Sequence, residues 1–192
     1  MSLPRDLDDL TQRLSVPDPR PSGLAPRAAV ATVLRARRGL EALLIRRAEH
    51  EGDPWSGHMA FPGGRRDPND PTLEHTAIRE THEEVALDLR TRARRLGRLD
   101  DVPTHRSGLV VRPVVFAVEG EPDLRPDPRE VADVMWTPLE PLIEGRADTE
   151  HEVSYQGQVH RFPGYRVDGG VVWGLTYRML QLLFERLRAP SR

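Results

Sequence analysis

The apolar positions change period several times along the chain. Leu3, Leu7, Leu10 and Leu14 recur at helical spacing, with Pro4 tolerated in a first turn, and predict a short amphipathic helix. A Pro-rich connector follows over residues 16–26. Two unbroken apolar runs come next, AAVATVL at 28–34 and LEALLI at 40–45, which read as buried strands joined by a turn at Arg37-Arg38-Gly39. Residues 49–57 are a polar loop, and Met59-Ala60-Phe61 is a short apolar piece broken by Pro62-Gly63-Gly64. The pattern then predicts a helix over 72–87 and strands over 96–99, 109–118 and 131–136. A hairpin is expected around Gly157, pairing 153–155 with 159–162. The last element is a helix over 173–187 with Leu175, Met179, Leu182, Leu183 and Leu187 on one side. Strands and helices mix without strict alternation, so the expected class is α/β in the α+β sense, a mixed sheet covered by helices. Residues 1–26 are expected to be an N-terminal helix and connector, and 27–188 one domain.

Composition narrows the chemistry. The chain has no cysteine, which excludes disulfides, thiolate zinc sites and a cysteine nucleophile, and fits a reducing, cytoplasmic setting. All 28 basic residues are arginine, so Schiff-base chemistry and a Walker-type P-loop are excluded with the missing lysine. Codon bias in a GC-rich genome is the plain reading of that preference, set beside the fact that arginine grips phosphate bidentately. The net charge of −2 gives no global sign of a nucleic-acid or membrane partner. No apolar run approaches the ~18 residues that a membrane span needs.

The informative stretch is GGRRDPNDPTLEHTAIRETHEEVAL, residues 63–87. Glu80, Glu83 and Glu84 lie at i, i+3 and i+4, within an arc of about 100° on one side of a helix. Leu73, Ala77, Thr81 and Val85 form the neighbouring stripe, so the acids border the buried face. Carboxylates so placed repel one another unless a positive group sits among them, and a hard divalent cation meets that need with oxygen ligands. Arg79 stands four residues before Glu83 and can orient it. Gly63 and Gly64 allow close backbone approach just upstream, and Asp70 adds a fourth acid. Three glutamates alone read as a solvated acidic face; the glycines and Arg79 at fixed offsets favour a cation site.

This segment resembles the Nudix box, in which Gly, five residues, Glu and seven residues precede Arg-Glu-apolar-x-Glu-Glu-x-Gly-apolar. Gly64, Arg79, Glu80, Glu83, Glu84 and Leu87 match it. Asp70 replaces the first Glu, eight residues separate it from Arg79, Thr81 stands at an apolar position and Ala86 at the Gly. Phe61-Pro62-Gly63-Gly64 with Arg66-Asp67-Pro68 and Asp70, Arg112-Pro113-Val114-Val115, Glu130-Val131 through Trp136-Thr137-Pro138-Leu139, and Phe162-Pro163 with Trp173-Gly174-Leu175-Thr176 are similar to the coenzyme A diphosphatase-like branch. Leu43, Leu44, Arg47, Ala48 and Gly57 fit that branch's upstream motif, but Asp53 stands where an arginine is usual.

The resemblance implies a Nudix fold, a mixed β-sheet sandwiched between helices with a loop–helix metal site. It implies Mg²⁺ or Mn²⁺ held by Glu80, Glu83 and Glu84, and hydrolysis of a nucleoside diphosphate linked to a further group. The small-molecule partner it favours is coenzyme A or a derivative, cleaved to 3′,5′-ADP and 4′-phosphopantetheine. Arg79 belongs to the catalytic set, the general base is open among Glu80, Glu83, Glu84 and Glu130, and Arg47, Gly63, Gly64, Arg65 and Arg66 are the substrate-binding candidates. Two alternatives stay open: a Nudix hydrolase of nucleotide sugars, dinucleotides or oxidised nucleotides, and a silent module that binds a nucleotide or a partner. A homodimer is the protein assembly considered.

Other residues carry weaker signals. His82 should point to solvent. His105-Arg106 reads equally as a phosphate contact and as surface loop. Trp55 either stacks on a base or folds its loop, and Trp136 and Trp173 read as core.

Overall fold

The structure, a computed structural model, describes residues 11, 25–52, 55–104, 108–155 and 157–188. The expected N-terminal helix, but for Thr11, lies outside the described residues, as do Asp53, His105 and Arg106.

Strands β1 (Ala28–Ala36), β2 (Leu40–Arg47), β3 (Met59–Ala60), β4 (Gly63–Arg65), β5 (Ala93–Arg98), β6 (Val102–Pro103), β7 (Val110–Val118) and β8 (Val131–Pro138) form one eight-stranded mixed sheet. Its central order is β3-β2-β1-β7-β5, with β4 on β1, β6 on β7 and β8 on β2. β1 and β7 run parallel, Ala29 beside Arg112 and Val33 beside Phe116, and the other pairs are antiparallel. Strands β9 (Asp148–Tyr155), β10 (Gln158–Val167) and β11 (Gly170–Trp173) make a second, three-stranded antiparallel sheet. The helices are α1 (Leu73–Val85), α2 (Leu89–Arg92), α3 (Glu140–Ile143) and α4 (Gly174–Arg188).

The apolar runs of β1 and β2 are continuous because both faces of the large sheet are covered. Ala29, Ala31, Val33, Leu43 and Ile45 pack with Leu73, Ala77 and Val85 of α1. Alternate residues Ala28, Leu34, Ala42 and Leu44 pack on the opposite side with Met179, Leu183 and Phe184 of α4. The mixed sheet between helices is therefore as the sequence pattern implies.

Several boundaries differ. Pro62-Gly63-Gly64 is not simply a break: residues 63–65 are a strand paired with residues 28–30 of β1. Trp173 ends β11 and does not begin the last helix. The hairpin around Gly157 extends over the whole of β9 and β10. Helix α1 starts at the Thr72 cap, whose hydroxyl accepts from the His75 N–H, and ends at Ala86 in a left-handed turn at φ 58°. That ending is the one Gly would provide, reached here by alanine. No helix among the described residues is long and apolar enough to cross a membrane.

Candidate functional site

The site begins with the sharp passage from β4 into α1. Gly63 adopts φ +150°, and a Cβ on it would lie 2.3 Å from the Ala29 carbonyl oxygen and 2.5 Å from the Val30 Cα, so only glycine fits. Its N–H donates to Oε2 of Glu84 at 2.8 Å. A Cβ on Gly64 would lie 2.5 Å from the Glu80 carboxyl carbon. The glycine pair thus lies directly against the two acids that α1 carries one turn apart.

The loop between β4 and α1 is held by Asp70, only 6% exposed. Its carboxylate accepts from Arg79 Nε at 3.1 Å and Nη2 at 3.0 Å, from Thr76 Oγ1 at 2.9 Å and from the Asp67 N–H at 3.0 Å. The Arg79 hydrogen bonds are the main reason its carboxyl is held down to about 2. Arg79 also pairs with Glu80 at 2.9 Å and with Glu83 at 2.7 Å, and donates to the Arg65 carbonyl. One guanidinium therefore ties loop, strand and three acids together.

Glu130 arrives from a different part of the chain. The N–H groups of Arg125 and Asp127 donate to the carbonyls of Val85 and Glu84, which pins the segment before β8 to the end of α1. The turn closes through Glu130 N–H to Asp127 O, Ala48 N–H donates to the Glu130 carbonyl, and His50 Nε2 lies 2.6 Å from the Arg129 carbonyl oxygen. Carboxylate oxygens of Glu80, Glu84 and Glu130 consequently lie within 4.8 Å of one another. Glu84 is 1% exposed, and burial pushes it up to about 8. Burial also raises Glu80. The charge of Arg47, on β2, acts on Glu84 in the opposite direction.

The expected site residues are not all gathered. Glu80, Glu84, Gly63 and Gly64 are brought together, with Arg47 within electrostatic reach. Glu83 stands outside the cluster, half exposed and paired with Arg79. The Arg66 guanidinium donates to the carbonyls of Asp70 and Pro71, so it braces the loop. Arg65 is exposed on β4. His82 is exposed, as its helical position predicts. Glu130 enters as a third member of the carboxylate group, a part that periodicity within one helix cannot reveal. Asp70, marked in the sequence as an extra acid and as the replacement for the box's first Glu, is the buried acceptor that fixes Arg79.

Three converging carboxylates, one buried against its own charge, form an oxygen donor set that suits a hard divalent cation. Arg79 pairs with Glu80 but also with Asp70 and Glu83, so its single charge leaves the three-carboxylate group net negative.

Comparison with known proteins agrees. The NUDIX domain model matches residues 25–159. The chain is 40% identical over 117 residues to an uncharacterized protein of Schizosaccharomyces pombe, a match covering 58% of this chain and about a third (36%) of that relative's length. It is 33% identical over 134 residues to the uncharacterized Nudix hydrolase NudL of Photorhabdus laumondii subsp. laumondii, covering 69% of this chain and 70% of the relative. Among solved structures, the NUDIX domain of Shewanella oneidensis NrtR complexed with ADP ribose aligns with a TM-score of 0.52 at 20% identity, over 86% of this chain and 88% of that one, a likeness of fold. The chain belongs to the NUDIX domain family and has the enzyme class of a Nudix pyrophosphohydrolase. Nudix hydrolases generally use divalent metals, and the donor set above fits one.

Proposed function

We propose that the chain hydrolyses the diphosphate of a nucleoside diphosphate linked to a further group, with coenzyme A or a derivative as the preferred substrate. The observation that carries this reading is the Glu80–Glu84–Glu130 group lying against the Gly63–Gly64 strand, with Arg47 beside it. Glu80, Glu84 and Glu130 would hold Mg²⁺ or Mn²⁺. A bound divalent cation supplies charge neutralisation at the diphosphate oxygens and acidifies a water for attack on phosphorus.

The chain's own residues do the rest. Arg47 binds the diphosphate from β2, and Arg65 reaches it from the end of β4. Arg79 holds Glu80 and Glu83 in register and keeps the loop closed on α1. Arg66 acts by bracing that loop. Glu84 is closed off by burial and by the Gly63 N–H, and Glu80, Glu84 and Glu130 would be taken up by the cation, which leaves Glu83, half exposed and outside that group, as the acceptor of the proton that the attacking water releases. Residues 27–188 form the catalytic unit in this reading.

Coenzyme A is favoured by the sequence resemblances at Arg112-Pro113, Glu130 through Leu139 and the closing region Phe162 through Thr176. It should give 3′,5′-ADP and 4′-phosphopantetheine with a kcat/KM above that for ADP-ribose, and dephospho-coenzyme A should be poorer. Equal or better turnover of ADP-ribose refutes the coenzyme A assignment. A second reading, a Nudix hydrolase of other nucleotide diphosphates, is favoured by Asp53 in place of an arginine. The silent-module reading has the complete carboxylate group against it.

A further inference from the structure

The smaller sheet carries a set of rings that neither the core nor the carboxylate site uses. His151 lies opposite Phe162 and Gly164 opposite Trp173, so these residues share one face of the sheet. Tyr165 and Val172 occupy the other face and are buried with α4. On the first face the His151 ring stacks on Trp173 at 4.5 Å and 25°. Phe162 lies 5.6 Å from Trp173, and His58, just before β3, meets the indole edge-on at 4.9 Å. Gly164 adds no side chain to this face.

These are not core rings. Phe116 and Phe184 are 2% and 1% exposed, whereas Phe162 is 39% exposed and Trp173, His151 and His58 are each partly open. Phe162, the most exposed of the four, offers a ring face able to stack on a π-system beside the stacked His151–Trp173 pair, and an imidazole can also hydrogen-bond a base edge. The cluster is also tied to the carboxylate site. The His58 carbonyl accepts from the N–H of Arg47 at 3.0 Å, and Arg47 is the cation acting on Glu84. Gly63 is five positions after His58, so the chain between them spans at most ~17 Å.

We propose that His58, His151, Phe162 and Trp173 form a stacking platform for the nucleobase of the substrate, placed so that a diphosphate extending past Arg47 reaches the carboxylates. This rests on the reading of the chain as a nucleoside-diphosphate hydrolase. A sequence-tolerant ring platform, without a fixed hydrogen-bond frame, grips a base mainly by stacking.

The test is calorimetric binding of AMP and of ribose 5-phosphate, which lacks the base, to the full chain and to Phe162→Ser, Phe162→Tyr and His151→Ala. Phe162→Ser and His151→Ala should bind AMP about tenfold more weakly, Phe162→Tyr should bind it as the wild type does, and ribose 5-phosphate should not distinguish the four proteins. Equal AMP affinity in all four overturns the proposal, and so does a parallel loss of ribose 5-phosphate, which marks a structural role. A change of oligomeric state in Phe162→Ser with unchanged AMP binding also overturns it, in favour of a contact between copies. Because AMP binding is read without turnover, failure of the hydrolase reading shows separately, as absence of diphosphate cleavage by the wild type.

Discussion

Replacing Asp70 by asparagine probes the element on which the site geometry depends. The change keeps the shape, removes the charge and turns one acceptor oxygen into an NH₂ that faces donors. Four hydrogen bonds end on this carboxylate, two of them from the Arg79 guanidinium. A hydrogen bond to a charged group contributes roughly 1.5–3 kcal/mol, and burying an unmatched donor adds to the loss. Arg79 is 28% exposed and recovers part of its solvation, so the net cost should be about 2–4 kcal/mol. For a domain of this size that corresponds to a fall in Tm of roughly 4–16 °C. The pH dependence gives a second readout. Folded Asp70 titrates at about 2, below its ordinary 3.8, so its contribution is complete above about 3.8 and is lost as pH falls through about 2. Thermal melts at steps from pH 7 to pH 2 should show the wild type losing this contribution in the acid range, and Asp70→Asn lacking it at every pH. A Tm within 2 °C of wild type at pH 7, with an unchanged acid profile, would refute the assignment of Asp70 as the anchor of Arg79.

Ala86→Gly should stabilise the chain by about 0.5–1 kcal/mol, because an L side chain at φ 58° carries left-handed strain that exceeds glycine's extra unfolded-state entropy; a lowered Tm contradicts this. Glu84 titrates at about 8 when folded against 4.5 ordinarily, so in chelator the wild type should lose stability as pH rises from about 4.5 to about 8; Glu84→Gln should flatten that slope in denaturant melts and lose most turnover. Gly64→Ala should displace the Glu80 carboxylate and weaken Mn²⁺ binding by about tenfold to a hundredfold, checked by titration, since its Cβ would lie 2.5 Å from the Glu80 carboxyl carbon.

Helical periodicity alone makes Glu80 and Glu84 legible in the sequence, because residues four apart share a face whatever the rest of the fold does. The same periodicity places Glu83 with them and four residues after Arg79, with which it pairs as the spacing suggests, but only the arrival of Glu130 from a distant turn leaves Glu83 outside the group. Glu130 is visible as an acid near a strand, but its approach depends on hydrogen bonds from residues 125 and 127 to the end of α1, which no local pattern encodes. The strand at Gly63–Arg65 reads as a break because Pro and Gly are strand-poor; pairing with β1 and the tight contact at Ala29 override that preference. Four-residue helices such as α2 and α3 span barely one turn and show no period. Trp173 reads with the apolar run of α4 in sequence, yet the chain turns at Gly174, the left-handed first residue of α4, and leaves Trp173 on the sheet.

The central claim is that Glu80, Glu84 and Glu130, contributed by a helix and a distant turn, together hold the divalent cation. Mn²⁺ titration followed by electron paramagnetic resonance, on the wild type and on Glu80→Gln, Glu83→Gln, Glu84→Gln and Glu130→Gln, tests it directly. The account expects the Glu80, Glu84 and Glu130 variants to lose Mn²⁺ affinity at least tenfold and Glu83→Gln to retain most of it. Wild-type affinity in Glu130→Gln, with loss in Glu83→Gln, would contradict it.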